Sequence, residues 1–484
     1  MLLPYMIVYT HKLVNLFGNY PVEFAASIFP VFMFALTIIS FFLFVREVFV
    51  RKDKKSKVRA NIISLISTFF MIVIPVFLSR TIAGIPEKES AGFFFMFLAF
   101  YLFLKAWKSK NLKNTIILGV LAGVATALMR LIWGGVIYIY ITIAIASFLG
   151  FILNKFRKKE ILLYSSWLLT SFIILLIFFS NKVSFKGLIT SLDSGLAFFV
   201  FLILMIHAII WNTKIKDIKF LKRLKLPPTL ISLIIGSIVI LILGSIVFGP
   251  QFIIDKIKII HQTIFKPIVG RWNTTVAENR QPYFTEWGSS FGPFIKNIPL
   301  MFWMFFIGSV VLFKNMLNKI KKKDSFVLTA LYVLFLFGLI FSRYSSSGIL
   351  NGENFISKFI YYGSVILFVG GLTYYYSKYH KNQDKSFEKI SYEYLFIFAF
   401  FILALFTARG AVRLIMVLGT VAPVLVGFLI VSLFEKFRKT KDETGKMVLG
   451  IIIILILLSS IFTFWTFFNI TKIQAYNMVP SQYN

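Results

Sequence analysis

Long apolar runs alternate with short basic clusters from one end of this 484-residue chain to the other. Runs long enough to cross, or nearly cross, a hydrocarbon core of ~30 Å occupy 22–50, 60–78, 91–104, 115–128, 135–153, 161–179, 196–211 and 230–248. After a polar interruption they resume at 298–313, 326–341, 359–376, 394–406, 412–434 and 448–468. The pattern predicts an all-α polytopic membrane protein with about fourteen transmembrane helices, the shorter ones extended by flanking residues. It divides the chain into an opening segment, 1–21, a first bundle, 22–248, a long loop, 249–297, a second bundle, 298–468, and a tail, 469–484.

Composition agrees with that reading. Hydrophobic residues make up 58% of the chain, with 59 Phe, and the mean hydropathy is +0.84; a soluble domain could not hide so much apolar surface. Cysteine is absent, which excludes disulfides and thiolate chemistry and leaves the redox compartment open. The net charge of +33 invites a nucleic-acid reading, but most of the 52 basic residues lie in "RKDKKSKVR", "KAWKSKNLK", "NKFRKKE", "NTKIKDIKFLKRLKLPP", "KNMLNKIKKKDS", "SKYHKNQDKSFEK" and "EKFRKTKDETGK". These fill every second connection, as the positive-inside rule requires of cytoplasmic loops. No nucleic-acid partner is therefore expected, and both chain ends fall on the external side.

Three external places collect groups capable of chemistry. In "SRTIAGIPEKES", Glu87 and Glu89 stand two apart in a turn broken by Gly and Pro. Carboxylates there suit Mg²⁺ or Mn²⁺, although E-x-E in a loop is more often a solvated turn. Glu278 in "TVAE" lies among Trp272, Tyr283 and Trp287, with Glu286 farther on. It could be a base or metal ligand, while the aromatics either order the loop or anchor it at the headgroups. In "FTARGAVRLIMVLGT", Arg409 and Arg413 are one helical turn apart. Guanidinium groups at a membrane boundary either snorkel to headgroups or meet an anion such as phosphate. His207 lies within a span, where an ionisable group is a functional candidate by default and a helix-packing hydrogen bond is the commoner role, and two N-x-T sequons begin at Asn273 and Asn469.

Taken in order, these pieces resemble the catalytic subunit of oligosaccharyltransferase, in the family that includes the single-subunit archaeal and bacterial enzymes. "SRTIAG" with Glu87-Lys88-Glu89 resembles the family's second acidic motif, "WGG" at Trp133 to Gly135 its tryptophan-glycine-glycine stretch, "TVAE" its T-I-x-E motif, and "AVRLIMVLGTVAPV" the span whose arginine meets the lipid phosphate. The resemblance implies a GT-C-type glycosyltransferase transmembrane domain with one long external loop, in an archaeal-type cell membrane with the active site on the external face. It implies transfer, with inversion, of a glycan from a polyprenyl (dolichyl) phosphate or pyrophosphate to Asn of an N-x-S/T sequon. Partners would be a lipid-linked oligosaccharide, an acceptor polypeptide and membrane lipid, and the cofactor Mn²⁺ or Mg²⁺. Glu87, Glu89 and Glu278 would be the catalytic and metal-binding residues, and Arg413 with Arg409 would bind the lipid phosphate.

Several departures from the family's pattern stand beside the matches. The family's first span and first acidic loop have no counterpart, so 1–21 reads as the remnant of that loop. The acceptor-reading W-W-D-Y-G motif is not in this chain, Glu87 stands where Asp is commoner, and an extra helical pair is expected around 345–392. The expectation is a fragment or split homologue, inactive alone at a family-like rate, whose partners include separately encoded terminal pieces. Three other readings stay open: another polyprenyl-phosphate-sugar glycosyltransferase, for which Glu278 would be dispensable; a lipid-linked oligosaccharide flippase or other transporter, which calls for broken helices and midplane charges; and a non-catalytic remnant or scaffold.

Overall fold

The computed structural model describes residues 2–218, 221, 226–265 and 277–477. Nineteen α-helices follow one another among them. They are α1 (Leu2–Val14), α2 (Val22–Phe49), α3 (Lys54–Val73), α4 (Pro75–Leu78), α5 (Lys88–Lys108), α6 (Leu112–Ile132), α7 (Ile137–Ile152), α8 (Lys158–Phe178), α9 (Phe185–Thr190), α10 (Leu192–Asn212), α11 (Pro228–Phe248) and α12 (Pro250–Phe265). After the loop come α13 (Phe284–Ser290), α14 (Leu300–Met316), α15 (Lys322–Phe341), α16 (Phe355–Lys381), α17 (Tyr392–Gly410), α18 (Ile415–Lys439) and α19 (Glu443–Asn477). One two-residue hairpin, β1 (Phe294–Ile295) with β2 (Ile298–Pro299), is antiparallel.

Thirteen helices among the described residues are long and apolar enough to cross a membrane, and α14 is a shorter apolar helix. Each of the fourteen expected runs falls mainly on one of these helices; the run at 60–78 breaks at Ile74 and continues into α4, and that at 298–313 begins in β2. The chain is an all-α, multi-pass membrane protein. Residues 2–14 form α1, and the segment read as the long loop opens with α12. One expectation is corrected. Between α15 and α17 stands one long helix, α16, instead of a helical pair.

Contacts gather the chain into two compact units. The first comprises Met1–Leu3, Phe95–Pro267 and Leu395–Leu403. Its tightest pairing sets α6 on α8, where Gly119 and Gly123 remove side chains at one face: a Cβ at Gly123 would stand 2.8 Å from Thr170 Cβ. Small residues four apart are a common way to bring helices close where lipid supplies no hydrophobic drive.

The second unit comprises Pro4–Phe94, Ile268–Tyr394 and Ala404–Asn484. Early helices thus pack with late ones in this unit. The reason lies in α18, which is apolar on every side and buried nearly throughout. A helix of that kind needs neighbours all round. It takes α3, α4, α14 and α19, with Gly427 admitting α3 so closely that an added Cβ would stand 2.9 Å from the Ile63 carbonyl oxygen. The connections at the two ends of α3 are unlike: the α2–α3 connection is basic, whereas the segment after α4 carries Arg80, Glu87 and Glu89.

Candidate active site

The acidic segment begins where α4 ends. Gly84, at φ +113°, turns the chain in a region closed to most side chains, and its N–H donates to the Ser27 carbonyl at 3.0 Å. Glu87 sits just before α5, with Ser90 N–H and Oγ both donating to its backbone carbonyl. Glu89 falls in the first turn of α5.

Arg80 is the group that assembles the site. Its Nη1 donates to Glu87 Oε1 at 3.2 Å and its Nη2 to Glu278 Oε2 at 2.6 Å, across 198 positions of sequence. Burial alone would lower the Arg80 pKa, but the Glu278 and then the Glu87 carboxylates more than reverse this and keep the guanidinium charged. Glu278 itself stays accessible, with its side chain 52% exposed.

Glu89 does not join this pair. Its side chain is only 2% exposed and accepts from Arg413 Nη2 at 2.7 Å. The expected set of three carboxylates is thus split, and no group of three or more His, Asp or Glu able to hold a metal occurs among the described residues. The cause is local: residues two apart at a helix start face nearly opposite ways, so Glu87 and Glu89 cannot point to one spot. Arg413 keeps 39% of its side chain exposed, leaving donors for a further anion. Arg409 is directed elsewhere, its Nε donating to the Leu339 carbonyl at 3.2 Å in a buried position.

The last part of the long loop is built onto this unit. Val412 N–H donates to the Arg280 carbonyl at 3.0 Å, and Phe284 N–H to the Tyr344 carbonyl at 3.1 Å. The Phe284 ring stacks on Tyr344 with 5.4 Å between centroids. Tyr283 lies over the Arg343 guanidinium at 4.3 Å, and Trp287 is fully buried. Both aromatics therefore hold the loop through protein contacts rather than headgroups. Thr275, Val276 and Trp272 lie outside the described residues.

Glu286 closes the N-terminus of α13, accepting from Tyr283 N–H at 2.7 Å and pairing with Arg280. Burial would push its pKa up, but the hydrogen bonds from Arg280 and the Tyr283 backbone hold its carboxyl below the usual carboxylate range. A depressed folded value stabilises the loop above the unfolded value and is lost as pH falls through the folded one. Protection of the 283–291 amides, measured against their intrinsic exchange rate at each pH, is therefore expected to be full above the ordinary carboxylate pKa and to fall as pH drops below it. Protection there that ignored acidification would remove this clamp from the account.

Sequence reasoning passed over Arg80 and Arg343. Arg80 stands inside a quoted motif, yet its pairing with Glu278 is a long-range contact that no local spacing announces. For Arg343 the only signal is a basic residue on a connection expected to be external.

Residues 1–264 match the family model described as oligosaccharyl transferase STT3, N-terminal. No curated protein sequence matches the chain. Among solved structures, the oligosaccharyltransferase of Archaeoglobus fulgidus in the apo form is similar with a TM-score of 0.56 and 18% identity, over 97% of this chain and 47% of that one. The same organism's enzyme tethered by a disulfide to an acceptor peptide containing the NVT sequon gives 0.53 and 17%, over 97% and 46%. Its complex with Zn and sulfate gives 0.54 and 15%, over 98% and 44%. At such identities the likeness is one of fold. This chain spans about half the length of the solved chains it matches.

Proposed function

The chain belongs to the oligosaccharyl transferase STT3 family, and on that premise we propose that it transfers a glycan from a polyprenyl phosphate or pyrophosphate carrier to the side-chain nitrogen of Asn in an N-x-S/T sequon. The observation that carries the reading is Arg80 holding Glu87 and Glu278 together, just past the end of α3–α4 away from the basic α2–α3 connection. That end is the external face of an archaeal-type cell membrane if the basic loops are cytoplasmic.

In the reaction the amide nitrogen attacks the anomeric carbon, the carbon–oxygen bond to phosphate breaks, and phosphate leaves with the electron pair. An amide is a poor nucleophile, so its N–H groups need strong acceptors at the moment of attack. Glu278, exposed and held at one oxygen by Arg80, is placed to accept from the amide and take up its proton. Arg413, steadied by Glu89, faces the leaving phosphate with its free donors and answers the charge that develops there.

Glu87 and Glu278 fit a hard divalent cation of the kind that takes one or two carboxylates and completes its shell with water and substrate phosphate. Mn²⁺ or Mg²⁺ so bound would lower the charge on the carboxylates and stabilise the departing phosphate. The zinc named for the complex of the Archaeoglobus enzyme is in keeping with such use. Glu89 is better placed as the partner of Arg413 than as a ligand.

The test uses the chain purified from its own membranes with whatever accompanies it, a lipid-linked oligosaccharide and a sequon peptide. Donor consumption coupled to peptide glycosylation is expected to stop with EDTA and return with Mn²⁺ or Mg²⁺. Transfer that ran unchanged in EDTA would remove the cation from the proposal. A donor consumed to make another glycolipid, with no peptide product, would favour a lipid-directed glycosyltransferase instead.

A further inference from the structure

We propose that Arg343 and Arg409 form a second anion site, distinct from the carboxylate cluster, that takes a phosphate group and thereby fastens the functional loop. Both arginines are buried, at 8% and 9% exposure, and Arg409 Nε is bound to the Leu339 carbonyl, four residues before Arg343 in the chain. Among the described residues Arg409 pairs with no carboxylate. Its side chain donates to the Leu339 carbonyl and lies 5.7 Å from the Tyr361 ring centroid. Among the described residues the one acidic partner of Arg343 is Glu353 at 3.7 Å, whose side chain is 78% exposed. Two buried like charges with so little compensation are costly to a fold unless an anion joins them.

Orphaned donors point the same way. Arg343 Nε and the hydroxyl of Ser342 are both buried without a hydrogen-bond partner. Arg343 Nη1 donates to the Asn351 carbonyl at 3.3 Å. Gly352, at φ +83°, lets the chain fold against that guanidinium: an added Cβ would stand 2.9 Å from Nη1. The local structure thus fixes Arg343 from one side and leaves its Nε donor unsatisfied. Two guanidinium forks and a hydroxyl suit a tetrahedral oxyanion better than a carboxylate, which has only two oxygens to offer.

The consequence reaches the loop through Tyr283, whose ring covers Arg343 and whose backbone N–H is held by Glu286. An anion that fixes Arg343 also fixes Tyr283, five residues after Glu278. The phosphate could come from a lipid headgroup or from free phosphate. The proposal does not depend on the transfer reading, because its readout is binding.

Hydrogen exchange of the purified chain in detergent tests it, with inorganic phosphate against chloride at equal ionic strength, and with phosphatidylglycerol against diacylglycerol. Exchange across 280–291 and 342–354 is expected to slow about tenfold at ten times the dissociation constant. A response to inorganic phosphate identifies a free-phosphate site; one confined to phosphatidylglycerol identifies a lipid headgroup. In Arg343→Gln the slowing is expected to vanish, and in Arg343→Lys to weaken. Overturning results are a wild-type chain that ignores both phosphate sources in these segments, or an Arg343→Gln variant as responsive as wild type. The wild-type comparison decides even if Arg343→Gln does not fold.

Discussion

On the proposed function, Glu278→Gln is expected to lower glycan transfer by about 10²–10³-fold in kcat/KM, the loss typical of removing one group that acts on the developing charge, and to leave the thermal midpoint nearly unmoved. Gln keeps the volume and one acceptor oxygen but carries no charge, so it neither draws the amide proton nor answers Arg80 as an ion. Little stability is at stake because the Glu278 side chain is 52% exposed, and exposed pairs contribute roughly 0–1 kcal/mol. The measurement is transfer to a sequon peptide alongside a thermal melt. A variant that kept most of its activity would exclude Glu278 from the chemistry. A variant that lost activity only by unfolding would make it structural.

Arg413→Ala has the opposite signature, a large effect on both readouts. Removing the guanidinium leaves the Glu89 carboxylate, at 2% exposure, without its ionic partner. Stranding one member of a buried pair costs about 3–5 kcal/mol. The low end of that range is expected, since Arg413 is itself partly exposed. Adding Glu89→Gln should recover much of the stability by removing the stranded charge. It should not recover transfer, because the leaving phosphate still lacks its cation. Melts of the two single variants and the double variant, with transfer assays on each, separate the two roles of Arg413. A double variant as active as wild type would show that Arg413 only supports Glu89. An Arg413→Ala chain as stable as wild type would dissolve the claim that the pair is structural.

These two residues also show how far the sequence could be read. The spans were legible because lipid imposes a simple demand on length and polarity, and every expected run falls mainly on a helix. Helices that do not cross were not legible by that rule. In α12, Ile253, Ile257, Ile260 and Ile264 recur at helical spacing, but the polar residues between them break the continuous run a span requires. The motif residues Glu87, Glu89, Glu278 and Arg413 could be named from the sequence. Their partners could not: Arg80 meets Glu278 across 198 positions and Arg413 meets Glu89 across 324. Those pairings depend on early and late helices packing around α18. For the same reason an E-x-E spacing suggested two ligands for one cation, whereas the helix start turns Glu89 away into the protein. Arg409 could be found but not placed, since its role depends on Arg343 and on the α15 carbonyl that binds it.

The most direct measurement is fragmentation mass spectrometry of peptides incubated with a lipid-linked oligosaccharide and the chain from its own membranes. One peptide carries Asn-x-Thr and the other Gln-x-Thr. The account predicts one glycan on the Asn side-chain nitrogen of the first, none on the second, and none on either when Glu278→Gln replaces wild type. Glycan on the Gln peptide, on a residue other than Asn, or on Asn with undiminished yield in Glu278→Gln would contradict it.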